Sequence, residues 1–273
     1  PATGGQGGAA VEGSRERWWL GEAHWVIGIN HAMTGEFDAA LAALARAQAI
    51  GESLMDPRLQ STVAFTAGGI HALRGDPERA IERCRRAVEL ARDPVGTAVA
   101  RGFLGASLLE KGDAEAGIPL LERSVEQLGR FRIRQTHSWF TALLAQACFL
   151  AGHLDRARGL ARQGLEMTLH VNAAQGAGWA QRTLGHIAQA EGDAAEAARR
   201  LEDAASTFAT IGARYEEART RLDLAALYHA RGDRGMAARE MERATLLLRE
   251  LGVRRYDRVL SALAADLGAR PTA

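Results

Sequence analysis

The 273-residue sequence is poor in the residues that build disulfide frameworks, membrane spans and aromatic cores. Its two cysteines, Cys84 and Cys148, are too few for a disulfide framework and show no metal-ligand spacing. We expect both to be small core residues. Aromatic residues make up only 5% of the chain. No long apolar run and no signal peptide is apparent, so the sequence predicts no membrane span and a cytoplasmic location.

An excess of charge of one sign is also missing. The 34 basic and 33 acidic residues leave a net charge of +1, which provides no global basic field for nucleic acid. One local segment alternates basic and apolar side chains: Arg130, Phe131, Arg132, Ile133 and Arg134. Such alternation can contact phosphates and stacked bases, or it can serve structure or partner contact. Without a wider basic stripe, nucleic acid is not favoured as a partner.

Catalytic and metal-binding signatures are absent from the sequence. The eight histidines form no pair four residues apart, and neither a P-loop nor a nucleophile elbow occurs. Paired carboxylates such as Glu216 and Glu217 are expected on solvated helix faces beside arginines. We therefore expect no enzyme, no metal and no cofactor. A buried polar cluster with perturbed pKa values in a cleft would instead favour an enzyme.

The sequence does contain an internal repeat. A glycine followed five residues later by a small residue recurs six times, at intervals of 40 residues except for one of 37. Glycine ends a helix by adopting the left-handed conformation, and the aspartate that follows it in four units can cap the next helix. Each unit is therefore predicted to be a helical hairpin that must stack on its neighbours. The six turn glycines are Gly35, Gly75, Gly112, Gly152, Gly192 and Gly232.

Two further features keep the same register. A large residue adjoins a small one before each turn, as in Leu184 and Gly185, and a further small residue such as Ala204 lies beyond it. This pattern resembles the tetratricopeptide repeat over residues 21 to 251. The first-helix tryptophan and closing proline of that family are missing, and its usual period is only about 34 residues. Such long repeats resemble the C-terminal arrays of bacterial signalling ATPases, cyclases, kinases and transcription activators.

The resemblance implies an all-α, right-handed superhelical solenoid of six helical hairpins with terminal capping helices. We expect a flexible tract over residues 1–13, a single solenoid over 14–268 and a frayed tail over 269–273. The first helix should run from about Ser14 to Met33, and a capping helix should span about 254–267. Because the chain starts at Pro1 without methionine, it is expected to be an excised piece or a processed form.

The resemblance also implies a concave groove lined by the first helix of each hairpin. Its apolar end is expected to hold a hydrophobic segment, and its Arg/His end a carboxylate or phosphate. The alternative is that these aromatic side chains pack within the hairpins or against a neighbouring domain. Counted from the turn glycines, the groove positions are Trp25, Ile29, Phe65, Val99, Leu109, Trp139, Phe149, Trp179, Arg182, His186, Gln189, Arg219 and His229.

The resemblance implies a non-catalytic interaction or regulatory module within a larger bacterial signalling protein. Its partner is expected to be a protein or peptide segment, or a neighbouring domain of the same polypeptide, bound in the groove. The alternative is an array that senses a small-molecule effector. A pocket closed on several sides would favour the sensor, whereas an open groove would favour a peptide.

Overall fold

The computed structural model describes residues 4–168 and 173–268. Within these ranges the chain forms thirteen α-helices and no strand. The helices are α1 (Gly4–Thr34), α2 (Phe37–Ser53), α3 (Pro57–Leu73), α4 (Pro77–Leu90), α5 (Pro94–Lys111), α6 (Ala114–Arg130), α7 (Arg134–Leu150), α8 (Leu154–Thr168), α9 (Ala174–Ala190), α10 (Ala194–Thr210), α11 (Arg214–Ala230), α12 (Arg234–Glu250) and α13 (Asp257–Leu267).

The first twelve helices form six consecutive hairpins. In each hairpin the first helix (the A helix) packs on the second (the B helix), and each B helix packs on the A helix of the next hairpin. From α9 to α12 the helices are 17 residues long and the connections three, which accounts for the 40-residue period. The usual repeat is about 34 residues long. The additional residues therefore lengthen the helices rather than the connections.

The predicted turn chemistry is confirmed. All six turn glycines have a positive φ, between 78° and 90°. The carboxylate of Asp193 accepts a hydrogen bond from the Glu196 backbone N–H at 3.0 Å, and Asp233 caps α12 in the same way through Met236. Pro77 is the first residue of α4, where its missing N–H does no harm. Each turn thus ends one helix and starts the next within three residues.

Small residues allow the two helices of a hairpin to approach closely. A Cβ atom added at Gly185 would lie 2.8 Å from the Leu201 side chain, and one at Gly68 would lie 2.5 Å from the Cys84 sulfur. Both distances are shorter than van der Waals contact, so these positions require glycine. Cys84 and Cys148 are fully buried and unpaired, as expected of core residues.

The N-terminal helix differs from the expectation of a flexible tract over residues 1–13. Helix α1 begins at Gly4, ten residues before the predicted start near Ser14. Extending a formed helix adds one hydrogen bond per residue, which offsets the poor helix propensity of this segment. Residues 1–3 and the tail at 269–273 lie outside the described residues.

The C-terminal segment over residues 251–256 was predicted in part as helix but is not helical. Helix α13 begins at Asp257, three residues later than expected, because the preceding segment packs across the first two hairpins. Leu251 and Val253 are buried in the apolar cluster that also holds Phe37 of α2. A Cβ atom at Gly35 would overlap the Leu251 side chain. The last hairpin is therefore held against the first ones.

Helix α13 covers the outer side of the last hairpin. Leu263 packs in a cluster with Leu222 of α11 and Ala244 of α12. This is the capping position expected from the sequence, although the helix is shorter than predicted. None of the helices in the described residues is long and apolar enough to cross a membrane.

The turn geometry predicts that two glycine-to-alanine substitutions change the free energy of unfolding in opposite directions. Gly192 has a φ of +84° and free space around its Cα, so Gly192→Ala should destabilise the fold by about 1 kcal/mol through backbone strain alone. Gly159 lies exposed inside α8, also in free space but with an ordinary helical φ. Gly159→Ala should stabilise the fold by about 0.8 kcal/mol. Urea unfolding measures both, and effects of equal sign would contradict the turn assignment.

Candidate functional site

The concave face of the solenoid encloses a cavity of about 560 Å³. Residues from all six A helices line it, as do Ala91 and Asp93 from the connection before α5. Most of the lining side chains are aliphatic or aromatic. A volume of this size lies within the range of small-molecule and short-peptide sites. The cavity is therefore the principal candidate binding site in the described part of the chain.

Aromatic rings form the middle of the cavity wall. Phe103 stacks on Phe65 with ring centroids 4.9 Å apart, and its edge meets the fully buried Phe140 at 5.6 Å. Further along, Trp139 and Trp179 meet edge to face at 6.5 Å. Rings that pack on one another lose little conformational freedom when a ligand binds, because their rotamers are already fixed.

The N-terminal end of the cavity is formed by α1 and α3. The indole N–H of Trp25 donates a hydrogen bond to the hydroxyl of Thr66 at 3.0 Å. That bond fixes the indole ring against α3 and leaves its apolar surface toward the cavity, beside Ile29. The amphipathic indole suits this role because its one polar group is satisfied within the protein.

A buried ion cluster closes the solenoid at one side of the cavity. The Glu110 carboxylate accepts hydrogen bonds from Arg219 at 2.9 Å and from Arg255 at 2.7 Å. Arg255 also donates to the Ala72 carbonyl at 3.3 Å, and Glu216 lies 3.6 Å from Arg219. Glu110 belongs to the third hairpin, Arg219 to the sixth, and Arg255 follows the sixth. The cluster therefore joins the second and third hairpins to the sixth hairpin and the segment after it.

The charges in this cluster compensate one another. Burial on its own would raise the pKa of Glu110, but the attraction of Arg219 and Arg255 and the hydrogen bond from Arg255 outweigh it and lower that pKa. Glu110 is therefore ionised at neutral pH. The guanidinium groups of Arg219 and Arg255 also lie over the rings of Tyr215 and Tyr256, at 5.4 and 5.3 Å from the ring centroids.

A second buried polar group lies between α9 and α11. Asp223 accepts a hydrogen bond from Arg182 at 2.6 Å and contacts the His186 ring at 2.9 Å, while Phe149 stacks on that ring at 5.6 Å. Burial opposes ionisation of Asp223, but Arg182 and His186 outweigh it and hold its pKa well below the usual range. The arginine here is already paired within the protein.

These contacts correct the expectation that the Arg/His end is free to bind an anion. Arg182 and Arg219 are both largely buried and already paired, with Asp223 and Glu110. Helical spacing places a side chain on a face but does not show that a carboxylate occupies the same face. A free carboxylate or phosphate would have to displace an internal ion pair.

The predicted groove residues fall into two sets. Eight of them line the cavity: Trp25, Ile29, Phe65, Val99, Leu109, Trp139, Trp179 and Arg219. The remaining five lie outside its wall: Phe149, Arg182, His186, Gln189 and His229. His229 is 3.9 Å from Asp266 near the capping helix, and Gln189 is exposed on α9. The cavity thus includes most of the predicted apolar positions, together with Trp179 and Arg219 from the other end of the predicted groove.

Sequence reasoning missed most of the lining residues, among them Phe103, Glu110 and Tyr215. Phe103 lies one position beyond the counted groove slot at Gly102. Glu110 and Tyr215 line the cavity from the ends of their helices, where the repeat positions assign no groove residue. No local pattern signalled Glu110.

The buried clusters satisfy one condition that would favour an enzyme, since both carboxylates have perturbed pKa values. Both are shifted downward, however, so neither can hold a proton near neutral pH for general acid catalysis. Each is saturated by arginine rather than facing a nucleophile. Within the described residues, no three histidine, cysteine or acidic side chains converge on a possible metal position. The clusters are best explained as internal ion pairs.

Arg130 and Phe131, in the basic and aromatic segment, lie at the end of α6 and in the connection to α7. Arg130 pairs with Glu126 at 2.6 Å, and Phe131 is 47% exposed. The first of the three arginines is thus already neutralised by its own helix. This arrangement adds no support for nucleic-acid binding.

Comparison with known proteins identifies the repeat. A family model described as tetratricopeptide repeat matches residues 138–163, 178–203 and 218–243, which correspond to hairpins four to six. The search of curated proteins found no match to this sequence.

Solved structures share the fold at low sequence identity. A Rap protein in complex with competence and sporulation factor superposes with a TM-score of 0.69 at 13% identity, over 93% of this chain and 80% of that one. BtubC (BKLC) from P. vanneervenii gives 0.55 at 17% identity, over 79% and 92%. PilF from Pseudomonas aeruginosa gives 0.51 at 17% identity, over 90% and 99%. At these identities the likeness is one of fold.

The ion cluster predicts a large effect of removing one charge. Glu110→Gln should destabilise the fold by about 3 kcal/mol, because it removes the carboxylate that Arg255 pairs with and leaves Arg219 only Glu216 at 3.6 Å. Asp38→Asn is the matched control, since Asp38 pairs with Arg74 at 2.6 Å but is 92% exposed. That change should cost under about 1 kcal/mol. Equal losses of unfolding free energy in the two variants, measured by chemical denaturation, would contradict closure of the solenoid by this ion cluster.

The same cluster predicts a difference in acid sensitivity. Because the pKa of Glu110 is lower in the fold than its usual value of 4.5, its contribution is complete above that pH and lost as pH falls below it. Thermal unfolding between neutral pH and pH values below that point should therefore show a smaller acid-induced loss in Glu110→Gln than in the wild type. Parallel curves for the two proteins would refute this assignment.

Proposed function

The chain contains tetratricopeptide repeats, and from this premise we propose that it is a non-catalytic regulatory module that binds a short apolar peptide segment of a partner protein in its concave cavity. The observation that carries the proposal is the aromatic cavity bounded by all six A helices. Tetratricopeptide solenoids use extended concave surfaces for binding. The site lies where such a surface is expected.

The chemistry of the cavity favours an apolar ligand. The rings of Phe65, Phe103, Trp139 and Trp179 supply area that a bound side chain can bury. The buried charges at its edge are compensated within the protein, so binding does not require a charged ligand. Affinity would come from apolar burial, and the few polar groups would set the orientation.

The fold comparison supports ligand binding by a solenoid of this kind. The Rap protein that superposes over 93% of this chain was solved in complex with competence and sporulation factor. That complex shows that a solenoid of this overall size accommodates a bound factor. A role as the regulatory array of a larger cytoplasmic signalling protein is part of the same proposal, and its partner is a segment of another protein or of a neighbouring domain.

A small-molecule effector is the second candidate, and the closure favours it. The contacts of Arg255 and Glu110 turn a groove into a pocket closed on several sides. A closed pocket buries most of the surface of a small ligand, as effector sites do. Both kinds of ligand would occupy the same cavity. They differ in how much of the ligand must fit inside it.

Selection from a random heptapeptide phage library tests the first candidate. Peptides rich in aromatic and aliphatic residues should be enriched, and Trp139→Ala should weaken a selected peptide roughly tenfold or more in titration calorimetry. Leu246→Ala is the control, because Leu246 is 57% exposed on α12, away from the cavity. Circular dichroism confirms the fold of each variant.

The fluorescent dye anilinonaphthalene sulfonate separates the two candidates. The dye should bind the wild-type cavity and be displaced by a selected peptide. Dye binding that depends on Trp139, without enrichment of any peptide, would support the effector site instead. Peptide and dye binding that are both unchanged in Trp139→Ala would place the binding site elsewhere.

A further inference from the structure

The charged side chains that line the cavity in the described structure all have partners within the protein. Glu110, Glu216 and Arg219 belong to the ion cluster. Arg58 lies 3.8 Å from a carboxylate of α1, and the Asp93 carboxylate caps the start of α5. A charged group on a ligand would therefore have to compete with contacts that the protein already makes.

Four uncharged polar side chains of the cavity wall lack a partner of this kind. Their hydroxyl or amide groups form no hydrogen bond with another residue in the described part of the chain, and all four are partly buried. They are Thr62, Thr136, Gln146 and Gln175. Water that solvates such groups must leave when a ligand fills the cavity, so the ligand has to replace the hydrogen bonds that are lost.

The two glutamines lie on opposite sides of the tryptophan pair. Gln146 follows Trp139 by seven residues, and both face the cavity from α7. Gln175 precedes Trp179 by four residues on the cavity face of α9. Both are A helices and run in the same direction, and their indole rings meet at 6.5 Å. At the helical rise of about 1.5 Å per residue, the two amide groups are about 16 Å apart along the helix axes.

The tryptophan between them has a polar group that the protein does not satisfy. The indole N–H of Trp139 is buried and has no acceptor among the described residues. Trp25 differs, because its N–H is bonded to the hydroxyl of Thr66. The wall formed by α7 and α9 is therefore apolar in its middle, and all of its unused hydrogen-bonding groups are uncharged.

We infer that Gln146 and Gln175 are specificity-determining residues, which select an extended apolar peptide segment that carries an uncharged amide side chain at each end. An extended chain advances about 3.3 Å per residue, so about five residues span the distance between the two glutamines. An amide on the ligand both donates and accepts, as a glutamine side chain does, so the two can form a reciprocal pair of hydrogen bonds. This inference rests on the function proposed for the cavity and adds the polar groups of the ligand to it.

Three blocked pentapeptides test this selectivity. Each is acetylated and amidated at its termini and has leucine, phenylalanine and leucine in the middle. The two end residues are glutamine in the first probe, glutamate in the second, and methionine, which has nearly the same length, in the third. Titration calorimetry with the full chain should show that the glutamine probe binds roughly tenfold more tightly than either of the others, because only its ends replace the hydrogen bonds of both glutamines.

The variant Gln146→Met tests the wall itself. It keeps the length of the side chain but removes its hydrogen-bonding groups, so the preference for the glutamine probe over the methionine probe should fall roughly threefold or more. Gln135→Met is the matched control, because Gln135 is exposed on the same helix and lies outside the cavity wall. That change should leave the preference unaltered. Circular dichroism verifies the fold of both variants.

The possible results distinguish this inference from the function on which it rests. Equal affinity for the three probes, with binding lost in Trp139→Ala, would overturn the inference and leave the proposed function standing. A preference for the glutamine probe that Gln146→Met does not lower, or that Gln135→Met lowers equally, would also overturn it. If no probe binds although the phage library yields peptides that depend on Trp139, the inference alone fails. If neither result is obtained, both fail.

Discussion

The whole structure depends on the packing of each B helix against the A helix that follows it. A two-helix hairpin cannot bury both of its apolar faces internally, so every unit relies on its neighbour for part of its core. Glycines such as Gly68 and Gly185 shorten the distance between helices within a unit. The constant 17-residue helices and three-residue connections from α9 to α12 keep successive units in the same relative position. Regular stacking then generates a concave face, and no additional contact is needed to form it.

Contacts that recur in every repeat were predictable from the sequence. Contacts that occur only once in the structure were not. The turn at Gly192 and the cap at Asp193 depend on neighbours within a few residues, so local patterns identify them. The pairing of Glu110 with Arg219 joins residues 109 positions apart. Its formation depends on how the two intervening units stack, which no local pattern encodes. For the same reason the sequence could not show that the solenoid closes.

In the cavity, too, the sequence predicted the helix face on which a residue lies but not the residue that it contacts. Counting from the turn glycines placed Trp139, Trp179 and Phe65 on the concave side, because the helical period fixes the face of each residue. The same count placed Arg182 at the end of the groove expected to hold an anion, although Asp223 lies within hydrogen-bond distance of it. Periodicity indicates where a side chain lies but not which charges from other units lie beside it. Apolar contributors were therefore predicted better than charged ones.

Closure and cavity are coupled because they share residues and hairpins. Leu109 lines the cavity, and its neighbour Glu110 lines it while also holding Arg255. Glu110, Arg219 and Arg255 belong to the third hairpin, the sixth hairpin and the segment after it, so separating them requires these parts to move relative to one another. Paired charges at the edge of an apolar space resist such a separation, since each would be left uncompensated where water is scarce. The width of the cavity is consequently set by an ionic contact outside its aromatic wall, and a ligand too large for it must break that contact.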